Sequence, residues 1–216
     1  LEKNSGQGKT VTVSATAKAT LQGKNLASGQ IDIQSSEVDL DHSHTSAHSV
    51  SVVANQGNIQ ANHATLIADK TLSLNTPAEL QTQQSHLKAE KITAQQHSLN
   101  MQKAVWEQTG TDEQKLSVSD QLKNQGGTLK TQGDLTLYSH GMDNRQGHLL
   151  TNGKLVVDTG TGQLDTTNGV MLSNQSLSLN SGEFINDGGL IQSNQNVAIN
   201  TQGQSLSNKQ TLTDAQ

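Results

Sequence analysis

The stretch 142–157, MDNRQGHLLTNGKLVV, decides how this chain is read, because it is one of four near-copies. It is preceded by LKNQGGTLKTQGDLTL (122–137) and followed by LDTTNGVMLSNQSLSL (164–179) and FINDGGLIQSNQNVAI (184–199). A fifth copy, LSNKQTLT, begins at Leu206, and the starts are 20, 22, 20 and 22 residues apart. A period of that size is the signature of a solenoid.

Each column of the aligned copies has a physical meaning. The opening residue is large and apolar: Leu122, Met142, Leu164, Phe184, Leu206. Two positions on stand Asn124, Asn144, Thr166, Asn186 and Asn208, and five positions on Gly127, Gly147, Gly169 and Gly189. These two columns are expected in turns with positive φ, which costs Gly nothing and Asn little. The Asn side chains are expected to form an amide ladder within those turns. A second apolar column is Leu129, Leu149, Met171, Ile191, and a third is the alternating pair Leu135/Leu137, Leu155/Val157, Leu177/Leu179, Val197/Ile199. Alternation puts both members of a pair on one face of a strand. Such a unit cannot bury its own core, but stacked units can. Leucine-rich repeats share the period, yet their L-x-x-L-x-L-x-x-N order does not occur in these units.

The paired column continues backwards through Leu116, Ile92, Leu72, Val50, Ile31 and Val11, in steps from Val11 of 20, 19, 22, 20, 24 and 19. Ten anchors therefore span the chain, and with strands about 4.8 Å apart they predict a rod roughly 48 Å long. The fold expected is an all-β parallel β-solenoid of about ten coils with a period near 20–21 residues. Residues 1–118 form its irregular part and 119–216 its regular repeats, within one continuous core. The chain is expected to be a fragment of a longer protein.

Composition narrows the function classes. Only 31% of residues are hydrophobic and 1% aromatic, with a single Pro, no Cys and a net charge of −5. Disordered chains share the low hydrophobicity but lack the strict apolar schedule. Without Cys there are no disulfides or thiolate metal sites. The negative charge and missing basic stripe disfavour nucleic acid. Carboxylates at Asp143, Asp165 and Asp187 sit beside turn residues and read as turn formers, so no catalytic residues, cofactor or metal are expected. Asp39, Asp41, His42, His44 and His48 are metal-ligand types without closed-site spacing, and read as a solvated face with both carboxylates outward.

The 24-residue step holds KAVWEQTGTDEQK (103–115), with the chain's single Trp. Excess residues in a coil become a loop on one face, often the binding face. Trp106, flanked by Glu107, Asp112 and Glu113, is the candidate recognition group. Alternatively, its indole packs over the groove of its own coil.

The units following L-x-N-x-x-G-x-L-x-[ST]-x-G-x-L-x-[LV], clearest at 142–157 and 122–137, resemble the haemagglutinin repeats of filamentous haemagglutinin-like exoproteins. The likeness is close over 122–213; for 11–118 it rests on period and an L-x-A-x-x-[LI] phrase. The resemblance implies a right-handed parallel β-helix in a secreted filament on a bacterial cell surface. It implies two-partner secretion through an outer-membrane transporter, and some members are contact-dependent growth inhibition proteins that deliver a toxin. The role implied is an adhesive stalk for cell–cell contact. The alternative is a segment that binds a protein or glycan receptor on a target cell, and a polysaccharide-active β-helix enzyme is the remote alternative.

Overall fold

The computed structural model describes residues 9–210, and every regular element in them is a β-strand. The strands form three parallel sheets, the walls of one solenoid. Coil 4 is typical: Thr71–Asn75 lies in the first wall, Glu79–Gln81 in the second and His86–Ala89 in the third. The next strand, Lys91–Gln96, returns to the first wall and pairs in parallel with Thr71–Asn75. Ten coils follow this path, and the last contributes no strand to the third wall among the described residues.

The apolar columns stack coil on coil. Leu135 lies beside Leu155, Leu155 beside Leu177, and Leu177 beside Val197. Each turns inward because its strand alternates, as in Leu177–Asn180, whose residues are in turn buried, exposed, buried and half-buried. Fully burying one such leucine contributes about 2 kcal/mol. A narrow core repeated ten times is therefore compatible with 31% hydrophobic residues. At the last described coil Val197, Ile199 and Leu206 are exposed, since a solenoid core is covered only by an adjoining coil.

Hydroxyls shape the corners between the third and first walls. Thr131 Oγ1 and Thr151 Oγ1 both donate to Gly133 O (2.9 and 2.5 Å), and Ser173 Oγ donates to Gly153 O (2.7 Å). These bonds satisfy carbonyls that a corner takes out of the strand ladders. The Thr/Ser of each T-x-G-type phrase is a corner clamp; Thr131, Thr151 and Ser173 are buried and Ser193, in the last such corner, is half-buried.

One register differs from the sequence expectation. Leu116 does not continue the Leu135 column; it pairs with Leu137, and Gln114 stands opposite Leu135. The supposed steps of 24 and 19 are therefore 22 and 21, from Ile92 to Gln114 and on to Leu135. A search for apolar anchors passes over Gln114 because it is an amide, although it is buried in the core.

Candidate functional site

Trp106 lies inside the core. It sits on the third-wall strand Val105–Gln108, between Leu87 and Leu129 of the adjoining coils, and is fully buried. Its Nε1–H donates to Thr82 Oγ1 at 3.0 Å, which satisfies the one polar atom a buried indole carries. Of the two placements open to it from sequence, this is the core one, and it withdraws the indole from any surface contact. The other three candidates stay outside but do not converge. Glu107 is half-buried on the outer third wall between Lys88 and Lys130, while Asp112 and Glu113 lie exposed in the following corner. Asp112 reaches Lys91 at 3.4 Å, an exposed pair worth little in water.

The Asn column lies within the turns that join the second wall to the third. Asn124 Nδ2 donates to Asn144 Oδ1 (2.8 Å), and Asn144 Nδ2 to Thr166 Oγ1 (3.0 Å). The run breaks there. A second run joins Asn186 Nδ2 to Asn208 Oδ1 (2.8 Å). The Oδ1 atoms of Asn124 and Asn186 are buried without a hydrogen-bond partner.

The glycine column needs a different physical account from the one expected. Positive φ falls one residue earlier, at Gly126, Gln146, Asn168 and Gly188, and neither the Asn column nor Gly127, Gly147, Gly169 and Gly189 adopts it. These glycines are excluded from having a Cβ by lack of space. At Gly147 a Cβ would stand 2.4 Å from both Asn144 Oδ1 and Asn124 O. The folded-back amide occupies the place of a side chain. In the first half the same turn position is Ser43, Ala64, Ser85 and Ala104, and the ladder position is Leu40, Ala61, Thr82 and Met101. Asn or Thr166 with Gly, and an apolar residue or Thr82 with Ala or Ser, are thus two packings of one turn.

A second amide ladder runs along the outside at the corner clamps. Asn152 Nδ2 donates to Gln132 Oε1 (2.5 Å), Asn174 Nδ2 to Asn152 Oδ1 (2.8 Å) and Asn194 Nδ2 to Asn174 Oδ1 (3.5 Å). Its signal was present as the position after each Thr/Ser of the aligned copies, which is always Gln or Asn.

The expected outward pair of carboxylates is corrected at Asp39. Its side chain is only 10% exposed and accepts from Gln22 Nε2 (3.1 Å) and the Asp41 N–H (3.0 Å), with Lys18 3.5 Å away. Burial pushes its pKa up, but these donors and the Lys18 charge together hold it below the usual value. Asp41 accepts the Asn62 N–H of the next coil, and the His42 ring stacks on His63 with centroids 5.1 Å apart. Among the described residues no three His, Asp or Glu side chains meet as a metal-holding group. Asp143 and Asp165 are neighbours across the second wall, and Asp187 lies two positions beyond that column. Arg145 binds Asp143 through Nε and Nη2 (2.9 and 2.7 Å), Asp165 accepts from Thr167, and Asp187 from Ser207 and the Lys209 N–H. Burial raises the Asp143 carboxyl, but the Arg145 bonds outweigh it and set it below the ordinary range.

The geometry is therefore a rod whose polar groups are spent on ladders and corners. The family model of the haemagglutinin repeat matches residues 4–76, 45–100, 109–170 and 151–215, from one end of the chain to the other. This chain belongs to the haemagglutinin-repeat family. Its first half is included, although only period and one phrase marked it in the sequence. A curated relative, "Toxin CdiA" of Yersinia pestis, is 28% identical over 151 residues, 70% of this haemagglutinin-repeat chain. The match spans 4% of that relative's length. No solved structure matches.

Proposed function

We propose that this chain is a length of β-helical stalk in a secreted filament of the bacterial cell surface, and that it extends a more distal part of the filament towards a neighbouring cell. The observation that carries the reading is the uninterrupted stacking of ten coils in three parallel walls, which gives a stiff element of fixed length. Membership of the haemagglutinin-repeat family and likeness to a protein named as a toxin support export. The partner proposed for export is the outer-membrane transporter of a two-partner system. A receptor, protein or glycan, would be met by other parts of the filament. The chemistry of this stretch is structural: amide ladders and corner hydroxyls hold the coils together, and the charged side chains keep the rod solvated.

The test is binding of the purified chain to intact bacterial cells, beside a fragment holding residues 119–216. A stalk leaves both at the level of a non-binding control. Saturable binding by the full chain and none by the fragment would replace the stalk reading with receptor binding by the first half.

A further inference from the structure

The corner between coils 5 and 6 differs from all its neighbours. The third-wall strand Val105–Gln108 ends and the first-wall strand Gln114–Val118 begins only after residues 109–113. The preceding corner is the single residue Glu90, and the following one is residues 132–134.

The long corner shortens the backbone ladder of one wall. Pairing between Lys91–Gln96 and Gln114–Val118 is confined to Gln95 with Ser117 and Gln96 with Val118. On the two flanks the same strands pair along nearly their whole length. Where the ladder is missing, glutamine side chains take its place. The Ile92 N–H donates to Gln108 Oε1 (2.9 Å), Gln114 Nε2 donates to Ile92 O (3.3 Å), and Gln108 Nε2 donates to Asp112 O (2.9 Å). The substitution is incomplete, since Oε1 of Gln114 and of Gln96 are buried without partners. The other two walls pass this level intact: Leu99 pairs with Leu122, and Val105–Gln108 pairs with all of Thr128–Thr131.

We propose that this seam is a one-sided hinge in the rod. The first wall opens between coils 5 and 6 while the second and third walls hold, and the rod bends away from the open side. Opening exchanges for water two side-chain bonds to Ile92, the Gln96 Nε2 bond to Ser117 O and the short ladder at Gln95/Ser117 and Gln96/Val118, and it hydrates two amide oxygens whose burial is otherwise uncompensated. Opening a neighbouring first-wall interface breaks a longer backbone ladder, of four or five residue pairs. A stiff stalk with one bend at a fixed height can reorient its far half, so the inference rests on the stalk reading for its use but not for its geometry.

The chain has no cysteine, so spin labels can be placed at will. Ser14, Asn75, Tyr138 and Asn200 are exposed and share one first-wall column, three coils apart in succession. Double variants Ser14→Cys/Asn75→Cys, Asn75→Cys/Tyr138→Cys and Tyr138→Cys/Asn200→Cys therefore span equal heights, and the middle pair straddles the seam. Nitroxide distance distributions are expected to be broader and shifted longer by a few ångström for the middle pair alone. Removing Thr111 and Asp112, which gives the corner the length of its successor, is expected to restore the width of the outer pairs. Three equal distributions in the intact chain, or a middle pair unchanged by the shortened corner, would overturn the hinge. Hydrogen exchange on the unaltered chain reads the same property without a variant. The Ile92 amide should exchange at least about tenfold faster than the equivalent amides of Leu72 and Leu135, and equal rates would overturn the proposal.

Discussion

Replacing Trp106 with Ala is the sharpest perturbation of this core, because one side chain fills the second apolar column and closes a hydrogen bond to a turn of the preceding coil. The indole is fully buried between Leu87 and Leu129 and donates to Thr82. An aromatic of this size buries on the order of 200 Å², which at about 25 cal/mol per Å² gives roughly 5 kcal/mol. Large-to-small aromatic truncations measured in other cores cost about 3–5 kcal/mol, so the area figure is an upper value. The Thr82 hydroxyl loses its donor but can reorient, adding about 1 kcal/mol at most. We expect Trp106→Ala to destabilise by about 3–5 kcal/mol and Trp106→Phe, which keeps most of the ring volume, by about 1–2 kcal/mol. Urea titration followed by circular dichroism measures both. The native protein supplies its own check, since its single tryptophan should emit as a buried indole and shift red on unfolding. A loss below about 1 kcal/mol for Trp106→Ala, or solvent-exposed emission from the native chain, would refute the core placement.

Leu155→Asp should bury a carboxylate between Leu135 and Leu177, cost several kcal/mol and part the rod locally; protease mapping should find surviving blocks on either side rather than loss of the whole chain in one step. Gly147→Ala should cost about 1–3 kcal/mol in thermal or urea unfolding, because the added Cβ meets Asn144 Oδ1 and Asn124 O at 2.4 Å; no loss would mean the turn has space the geometry denies it. Thr166→Asn should join the two amide runs, giving the Asn186 Oδ1 a donor and raising stability by about 1 kcal/mol, with an unchanged urea midpoint counting against the ladder. Asp39 and Asp143 both titrate below their ordinary 3.8 in the folded chain, so their stabilisation is present above that value and is lost as pH falls through the lower folded values. Asp39→Asn should therefore flatten the acid limb of stability, and an acid limb identical to that of the native chain would exclude a contribution from Asp39.

The periodic part of this architecture was open to reading because a stacked coil repeats its inward residues at fixed intervals. Leu135, Leu155 and Leu177 announce a wall as plainly in the sequence as in space. The reading slipped where polar atoms do an apolar residue's job. Gln114 occupies a core column and caps Ile92, so a search for hydrophobic anchors stepped over it to Leu116. The turn glycines misled in another way. Glycine suggests positive φ, whereas here it answers to an amide lying where a Cβ would go, which only the relation between two coils reveals. Trp106 could have been placed by walking the column from Leu87 to Leu129, which it divides. Of the groups of the candidate site beyond it, Glu107 lies on the third wall while Asp112 and Glu113 lie in the corner that follows, and no periodicity records that.

The direction of the inner amide ladder bears on how such a chain grows. In each run the Nδ2 groups point towards the later coil and the Oδ1 groups towards the earlier one, so every run begins with an acceptor that nothing fills, Asn124 in one case and Asn186 in the other. That penalty is incurred once per run, however many coils the run contains, while each added Asn-bearing coil contributes another bond. The ladder thus has the economics of nucleation and propagation familiar from the α-helix. Scattering Asn-type coils among apolar ones would repeat the initiation cost at every switch, and clustering them confines it to the boundary. The two dialects of this sequence are accordingly gathered into separate blocks, with Thr166 as the one interruption that restarts the count.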